Sequence, residues 1–198
     1  MTPQDIITEA RYILNDTNST GVGYRQGDTE LLGYVNSSLV ECAVLRPELF
    51  ATIGDMTCVV GQCEQSISFT DVVALLEVLS IHQGAALTPF DMVAMNAYNP
   101  GWRTDTAAAA RQWSRFTNDP LKFFIYPKAP VTPQVLDVRY ARNPATFAIG
   151  DTITDVPAAL KTALVEFVVY RAASKDDEHV NSGRANSFYQ SFLSKLKG

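Results

Sequence analysis

The sequence predicts an α+β fold, with N- and C-terminal helices forming a helical lobe and a central antiparallel β-sheet or small sandwich between them. Three observations predict it. Apolar residues recur with a helical period at both ends of the chain, and they alternate with polar ones in short stretches of the middle. Proline and glycine punctuate the change from one period to the other. Segregated runs of helices and strands exclude the βαβ alternation of a parallel sheet. The expected organisation is an N-terminal helix pair over 1–49, a central β-rich lobe with one short helix over 50–150, and a C-terminal helix pair over 151–198. The two helix pairs are expected to pack together, giving one compact structural unit.

The first element follows from Ile6, Ile7, Ala10, Ile13 and Leu14, which share one face of a 3.6-residue period. Thr2 is placed to cap this helix, Pro3 suits its first turn, and Asp5 sits where a carboxylate favours exposed amides. After a polar connection, Asp28 or Thr29 opens a second helix that buries Leu31, Leu32, Val35, Leu39 and Cys42, and Pro47 ends it. Residues 52–60 and 64–69 flank Gly61 and read as a β-hairpin. Residues 71–82 leave strand and helix open, with strand favoured for 77–82. Thr88-Pro89-Phe90-Asp91 reads as a helix opening, with Thr88 the cap, and the short helix stops near Ala97, before the Asn99-Pro100-Gly101 turn. Residues 111–116 and 121–126 form a second hairpin about Asn118-Asp119-Pro120. Over 135–141, alternation of Val135, Leu136, Val138 and Tyr140 with Asp137 and Arg139 marks a half-buried strand. Pro157 starts the expected longest helix, with Leu160, Leu164, Phe167, Val168 and Ala172 on one stripe. A final helix carries Phe188, Tyr189, Phe192, Leu193 and Leu196.

Composition narrows the function classes. With 46 % apolar and 19 % charged residues, the 198-residue chain has the material for a core and lacks the signature of intrinsic disorder. A net charge of −5 argues against a tight non-specific DNA binder, which needs a basic stripe to neutralise phosphates. A mildly acidic wall past which DNA slides is compatible with it. No membrane span is expected: the most apolar run, 72–81, is short and is broken by Glu77. The first residues lack the basic and apolar regions of a signal peptide. Three cysteines, Cys42, Cys58 and Cys63, read as reduced thiols, although Cys58 and Cys63 would face each other if the Gly61 hairpin forms.

Reactive groups do not converge in the sequence. Of the two histidines, His82 reads as an edge or core residue. His179 follows Lys175-Asp176-Asp177-Glu178, whose successive side chains diverge around a helix and read as a solvated charged end. Gly21, Gly23 and Gly27 lack the strand and Lys-Ser/Thr context of a phosphate loop. No catalytic, cofactor or metal residue is assigned. Arg103, Arg111, Arg115, Lys122, Arg139 and Arg142 interleave with Trp102, Trp113, Phe116, Phe123, Phe124 and Tyr126. That mixture fits a single-strand-binding platform, or a sheet with aromatics inward and arginines outward, the second being favoured. Residues 84–110, with Phe90, Met92, Met95, Tyr98 and Trp102, fit a contact surface for a partner protein or a loop folded onto the sheet.

Several segments together resemble the bacteriophage head-to-tail adaptor, or connector, family, in architecture the tail tubular protein A type. They are residues 5–16 and 28–36 at the start, 118–127 and 138–144 in the middle, and Val156-Pro157, 163–172, 175–178 and Arg184-Ala185 with the Phe/Tyr-rich last helix at the end. The resemblance implies a structural subunit of the virion neck, assembled in the host cytoplasm. It implies a dodecameric ring that joins the portal protein to a tail or nozzle protein and passes double-stranded DNA without sequence-specific binding. No cofactor and no enzymatic activity are implied. Portal or partner contacts are expected at Phe188, Phe192, Lys195 and Lys197, with Met92 and Trp102 from the long loop. Lys175, Asp176, Asp177 and Glu178 are expected as lumen or inter-subunit charges. The competing readings are a monomeric binding module for single-stranded nucleic acid or protein, acting through the aromatic and arginine strands, and a small enzyme.

Overall fold

A computed structural model describes residues 1–17, 23, 25–128, 132–175 and 182–197. These residues form five α-helices and seven strands, an α+β fold. The chain divides into two compact units, Met1–Leu49 with Pro144–Gly198, and Phe50–Asn143.

The helical unit contains α1 (Pro3–Leu14), α2 (Asp28–Leu45), α4 (Lys161–Ser174) and α5 (Ser182–Lys197). A capping box starts α1: Asp5 N donates to Thr2 Oγ1, and Thr2 N donates to Asp5 Oδ2 at 2.7 Å. Asn15 ends it in the left-handed conformation, with φ 53°. The centre of the unit is α4, which packs against α1, α2 and α5. It buries Ala163, Leu164, Val165, Phe167, Val168, Val169 and Ala172, so apolar residues surround its whole circumference, as expected of a central helix. Pro157 leads instead into a 3₁₀ turn, Ala158–Leu160, and α4 begins only at Lys161, so among the described residues the longest helix is the 18-residue α2. Segment 144–150 belongs with the helices because Asn36 clasps it. Asn36 Nδ2 donates to Phe147 O at 3.1 Å, and Phe147 N donates back to Asn36 Oδ1 at 3.0 Å.

Buried charge joins α1 to α2. Arg11 Nη1 donates to Asp16 Oδ2 at 2.7 Å, while Nη2 donates to Gln26 O at 2.8 Å and Asp28 Oδ1 at 2.7 Å. Asp16 also accepts from the main-chain N–H groups of Arg25 and Gln26. The polar connection between the helices is thereby held by charge-assisted hydrogen bonds, which are stronger than neutral ones.

In the second unit, β1 (Ala51–Thr57), β7 (Val135–Arg142) and β3 (Val72–Ile81) form an antiparallel sheet in the order β1-β7-β3. A second sheet has the order β2-β6-β5-β4, built from β2 (Glu64–Ser66), β6 (Lys122–Tyr126), β5 (Gln112–Arg115) and β4 (Thr88–Pro89). Met56, Leu75, Val78, Leu136 and Val138 from the first sheet share one core with Trp113, Phe123 and Ile125 from the second and with Ile67 just after β2. Gly54 permits a close approach there, because a Cβ at that position would lie 2.8 Å from the Phe69 ring, which is itself stacked on Tyr140.

The expected Gly61 hairpin does not form. Gly61 does turn the chain, with φ 76°, but β1 pairs with β7 and β2 with β6. A turn residue sets a change of direction and leaves the pairing partner to be chosen by packing. Gln65 holds the connection: its Oε1 accepts from Val59 N at 2.7 Å, and its Nε2 donates to the carbonyls of Val59 and Gln62. Cys58 and Cys63 are accordingly free thiols, as is Cys42. The β5–β6 hairpin forms as expected, with Trp113 opposite Ile125.

Candidate functional site

The long segment after β3 resolves into two parts with different fates. Thr88 and Pro89 pair as a short parallel strand beside β5, so the cap of α3 (Met92–Tyr98) is Asp91 instead of Thr88. Asp91 Oδ1 accepts from Val93 N and Ala94 N at 2.7 and 2.9 Å. A helix cannot start after Thr88 because Thr88 and Pro89 run extended beside β5 and Phe90 N donates to Trp113 O. Beyond α3, Trp102 is buried and packs edge-on against Phe90, Phe124 and Tyr126. Its Nε1 donates to Asn96 Oδ1 at 2.8 Å. Asp105 Oδ2 accepts from both Asn99 Nδ2 and the Tyr126 hydroxyl, and that hydrogen bond holds the Tyr126 phenol above its ordinary pKa. The segment therefore folds onto the second sheet through Trp102 and leaves α3 outside. Val93 and Tyr98 are 80 % and 95 % exposed, and Met92 is half-buried.

The C-terminal candidates separate in the same way. Phe192 is fully buried against Phe167, and together with Trp102 it is a core residue with no surface to offer a partner. Phe188 is half-buried with the Arg184 guanidinium 5.9 Å from its ring, and Lys197 is exposed. Lys195 forms an ion pair with the nearly buried Glu166 of α4. Lys175 pairs with Glu30 at 2.5 Å, and that hydrogen bond, with one from Tyr34, holds the Glu30 carboxyl below its ordinary pKa. Asp176, Asp177, Glu178 and His179 lie outside the described residues.

The aromatic and arginine strands do not make a stacking platform. Trp113 and Phe123 face the shared core, while Phe124 is covered by Trp102 and by the Arg103 guanidinium 5.4 Å from its ring. Bases need open ring faces to stack on. Arg111, Arg115 and Arg139 are exposed, and Arg139 pairs with Glu77 across β7 and β3.

One cluster escaped the sequence reading. Asp55 and Asp137 stand opposite each other in the β1–β7 register, and His82 follows directly on β3. His82 Nδ1 lies 2.8 Å from Asp137 Oδ1 and 3.4 Å from Asp55 Oδ1. The hydrogen bond to Asp137 raises the pKa of the imidazole, and the Asp55 charge adds to it; Ser80 and His82 together lower that of Asp137. Alternation along β7 already places Asp137 on the polar face, but its neighbours depend on strand pairing, which alternation does not reveal.

Exposed apolar side chains are distributed over both units. On α2, Val40 and Val44 are 53 % and 64 % exposed one turn apart, with Leu45 beside them. On and just after β1, Ile53, Val59 and Val60 are exposed. An open depression lined by Asp5, Thr8, Glu9, Tyr12 and Lys161 is spanned by a Lys161–Glu9 ion pair at 2.9 Å. Among the described residues, no helix is long and apolar enough to cross a membrane.

The chain is an α+β protein of a helical unit and a two-sheet unit, with exposed apolar side chains on each. The model of the SU10 adaptor protein family matches residues 1–198, and the chain belongs to that family. It is a phage head-to-tail adaptor, a structural component of the virion neck that interacts with other head and tail proteins. No curated protein matches the sequence.

Proposed function

We propose that the chain is the repeating subunit of a dodecameric ring at the phage neck, joining the portal to the tail and passing double-stranded DNA during packaging and ejection. The observation that carries this reading is the apolar surface on separate elements: Val40, Val44 and Leu45 on α2, Val93 and Tyr98 on α3. A ring closes through heterologous contacts, which need two different patches on every subunit. The net charge of −5 suits a lumen that holds a polyanion weakly. In this reading Phe188, Lys195 and Lys197 of α5, with Met92 of α3, contribute portal or tail contacts, and Phe192 and Trp102 support them from the cores beneath. Lys175 contributes charge to the lumen or to the seam between subunits.

Light scattering on size-exclusion fractions, with and without added portal rings, tests the proposal. A defined multimer on the portal is the expected result, and Val44→Asp combined with Val93→Asp is expected to abolish it while leaving the monomer folded. Monomers that ignore portal rings but bind oligonucleotide with a steep salt dependence would overturn it in favour of a nucleic-acid module.

A further inference from the structure

The outer face of the three-stranded sheet brings three potential ligands together from three stretches of chain. Asp55 and Asp137 face each other directly across β1 and β7. Like charges opposite one another in an antiparallel pair destabilise it, so a group that binds both carboxylates is favoured there. His82 enters at that point, and its position is set by the main chain. His82 N donates to Val135 O at 2.8 Å, and the turn that follows is closed by Gly84 N to Ile81 O and Ile81 N to Ala85 O. Gln83 takes a left-handed φ of 55° within that turn.

We propose that Asp55 Oδ1, His82 Nδ1 and Asp137 Oδ1 form a binding site for a first-row divalent transition ion, of which Zn²⁺ is the best-fitting member. One ligand atom from each of the three residues lies within 4.8 Å of the others. A tetrahedral ion with bonds of about 2.0–2.2 Å holds its ligands roughly 3.3–3.5 Å apart. The observed 3.4 Å between His82 Nδ1 and Asp55 Oδ1 falls within that spacing, and the 2.8 Å contact with Asp137 Oδ1 lengthens by about half an ångström on loading. Ser80 Oγ donates to Asp137 Oδ2 at 2.6 Å, which turns the other carboxylate oxygen towards the imidazole. Outer-shell hydrogen bonds of this kind orient metal-binding carboxylates. One imidazole nitrogen with two carboxylate oxygens suits zinc and its neighbours, whereas Ca²⁺ and Mg²⁺ favour all-oxygen shells. On loading, the Nδ1 proton that faces Asp137 Oδ1 leaves to solvent, the ion takes the freed Nδ1 lone pair, and Nε2 carries the ring proton. Asp55 and His82 remain 56 % and 39 % exposed along their side chains, so a fourth position opens to water. The bound ion ties β1 and the end of β3 to the central strand β7.

Titration calorimetry of the full chain with Zn²⁺, and separately with Mg²⁺, tests the site. One Zn²⁺ per chain is expected, bound far more tightly than Mg²⁺. His82→Ala and Asp55→Asn are each expected to weaken it by more than Ser80→Ala, which removes only the outer-shell bond and costs about tenfold. The variant Cys63→Ser removes the partly covered thiol and should leave the affinity unchanged. Zinc-dependent shifts of the His82 ring resonances report the site directly in the wild-type chain. Zinc binding no tighter than magnesium, or wild-type affinity in His82→Ala and Asp55→Asn, would overturn the assignment. The outcome is independent of assembly, since portal binding by the same variants reports separately on the adaptor reading.

Discussion

Arg11 offers the sharpest test of what holds the helical unit together. Arg11→Leu keeps a similar apolar stem while removing the guanidinium that joins Asp16, Gln26 O and Asp28. The contributions are unequal. Asp16 is buried, and removing one partner of a buried ion pair costs about 3–5 kcal/mol. Two main-chain donors remain to Asp16, which places its share near the lower bound, ~3 kcal/mol. The Asp28 carboxylate is 54 % exposed, so its pair is screened and contributes only about 0.2–1 kcal/mol. The freed Gln26 carbonyl adds about 1 kcal/mol, offset by a similar gain from the buried leucine. A net loss of roughly 3 kcal/mol corresponds to a fall in Tm of about 6–12 °C for a chain of this size. Guanidinium denaturation followed by helical circular dichroism measures the loss directly. Replacing Asp16 by Leu in the same background is expected to restore part of it, because the stranded carboxylate is then gone. A loss below about 1 kcal/mol with an unchanged denaturant slope would show that the network behaves as a surface pair, and would refute the reasoning.

Trp102→Ala removes the side chain that fastens the loop to the second sheet, so a loss of about 3–5 kcal/mol is expected, together with faster proteolysis within 92–104; unchanged cleavage would show that the loop is held elsewhere. Burial pushes the Cys42 and Cys58 thiols up to about 12, while Cys63 is only partly covered, so a thiol reagent at pH 8 should modify one cysteine quickly and the other two only on unfolding. The Thr2 main-chain N–H, helped by its hydroxyl, holds the Asp5 carboxyl below the ordinary 3.8. A folded-state pKa lowered in this way gives stability that is complete above the ordinary value and lost as pH falls through the lowered one. Asp5→Asn should therefore flatten that acid limb, and a carboxyl titration by NMR should show the low value in the wild-type chain.

Local chemistry explains which features could be read from residue order. The capped α1, the strand at β7 and the β5–β6 hairpin each rest on neighbours within a few positions, where period and turn residues act directly. Thr88 misled for the same reason: its motif was sound as a cap, but pairing with β5, more than twenty positions later, holds Thr88 and Pro89 extended. Trp102 was legible as a large aromatic in a long loop, yet its burial depends on Phe124 and Tyr126, which arrive from another strand.

From the sequence alone followed the α+β class, the helical ends, the absence of a basic stripe and the likeness to head-to-tail adaptors. Hydrophobic period, charge balance and the order of segments are properties of the chain itself, present before it folds. The tertiary structure decided that β1 and β2 belong to different sheets, that Trp102 and Phe192 face inward while Val93 and Tyr98 face out, and that Asp55, His82 and Asp137 meet. Strand partners are selected by packing over long separations, and a single change of partner alters every cross-strand neighbour.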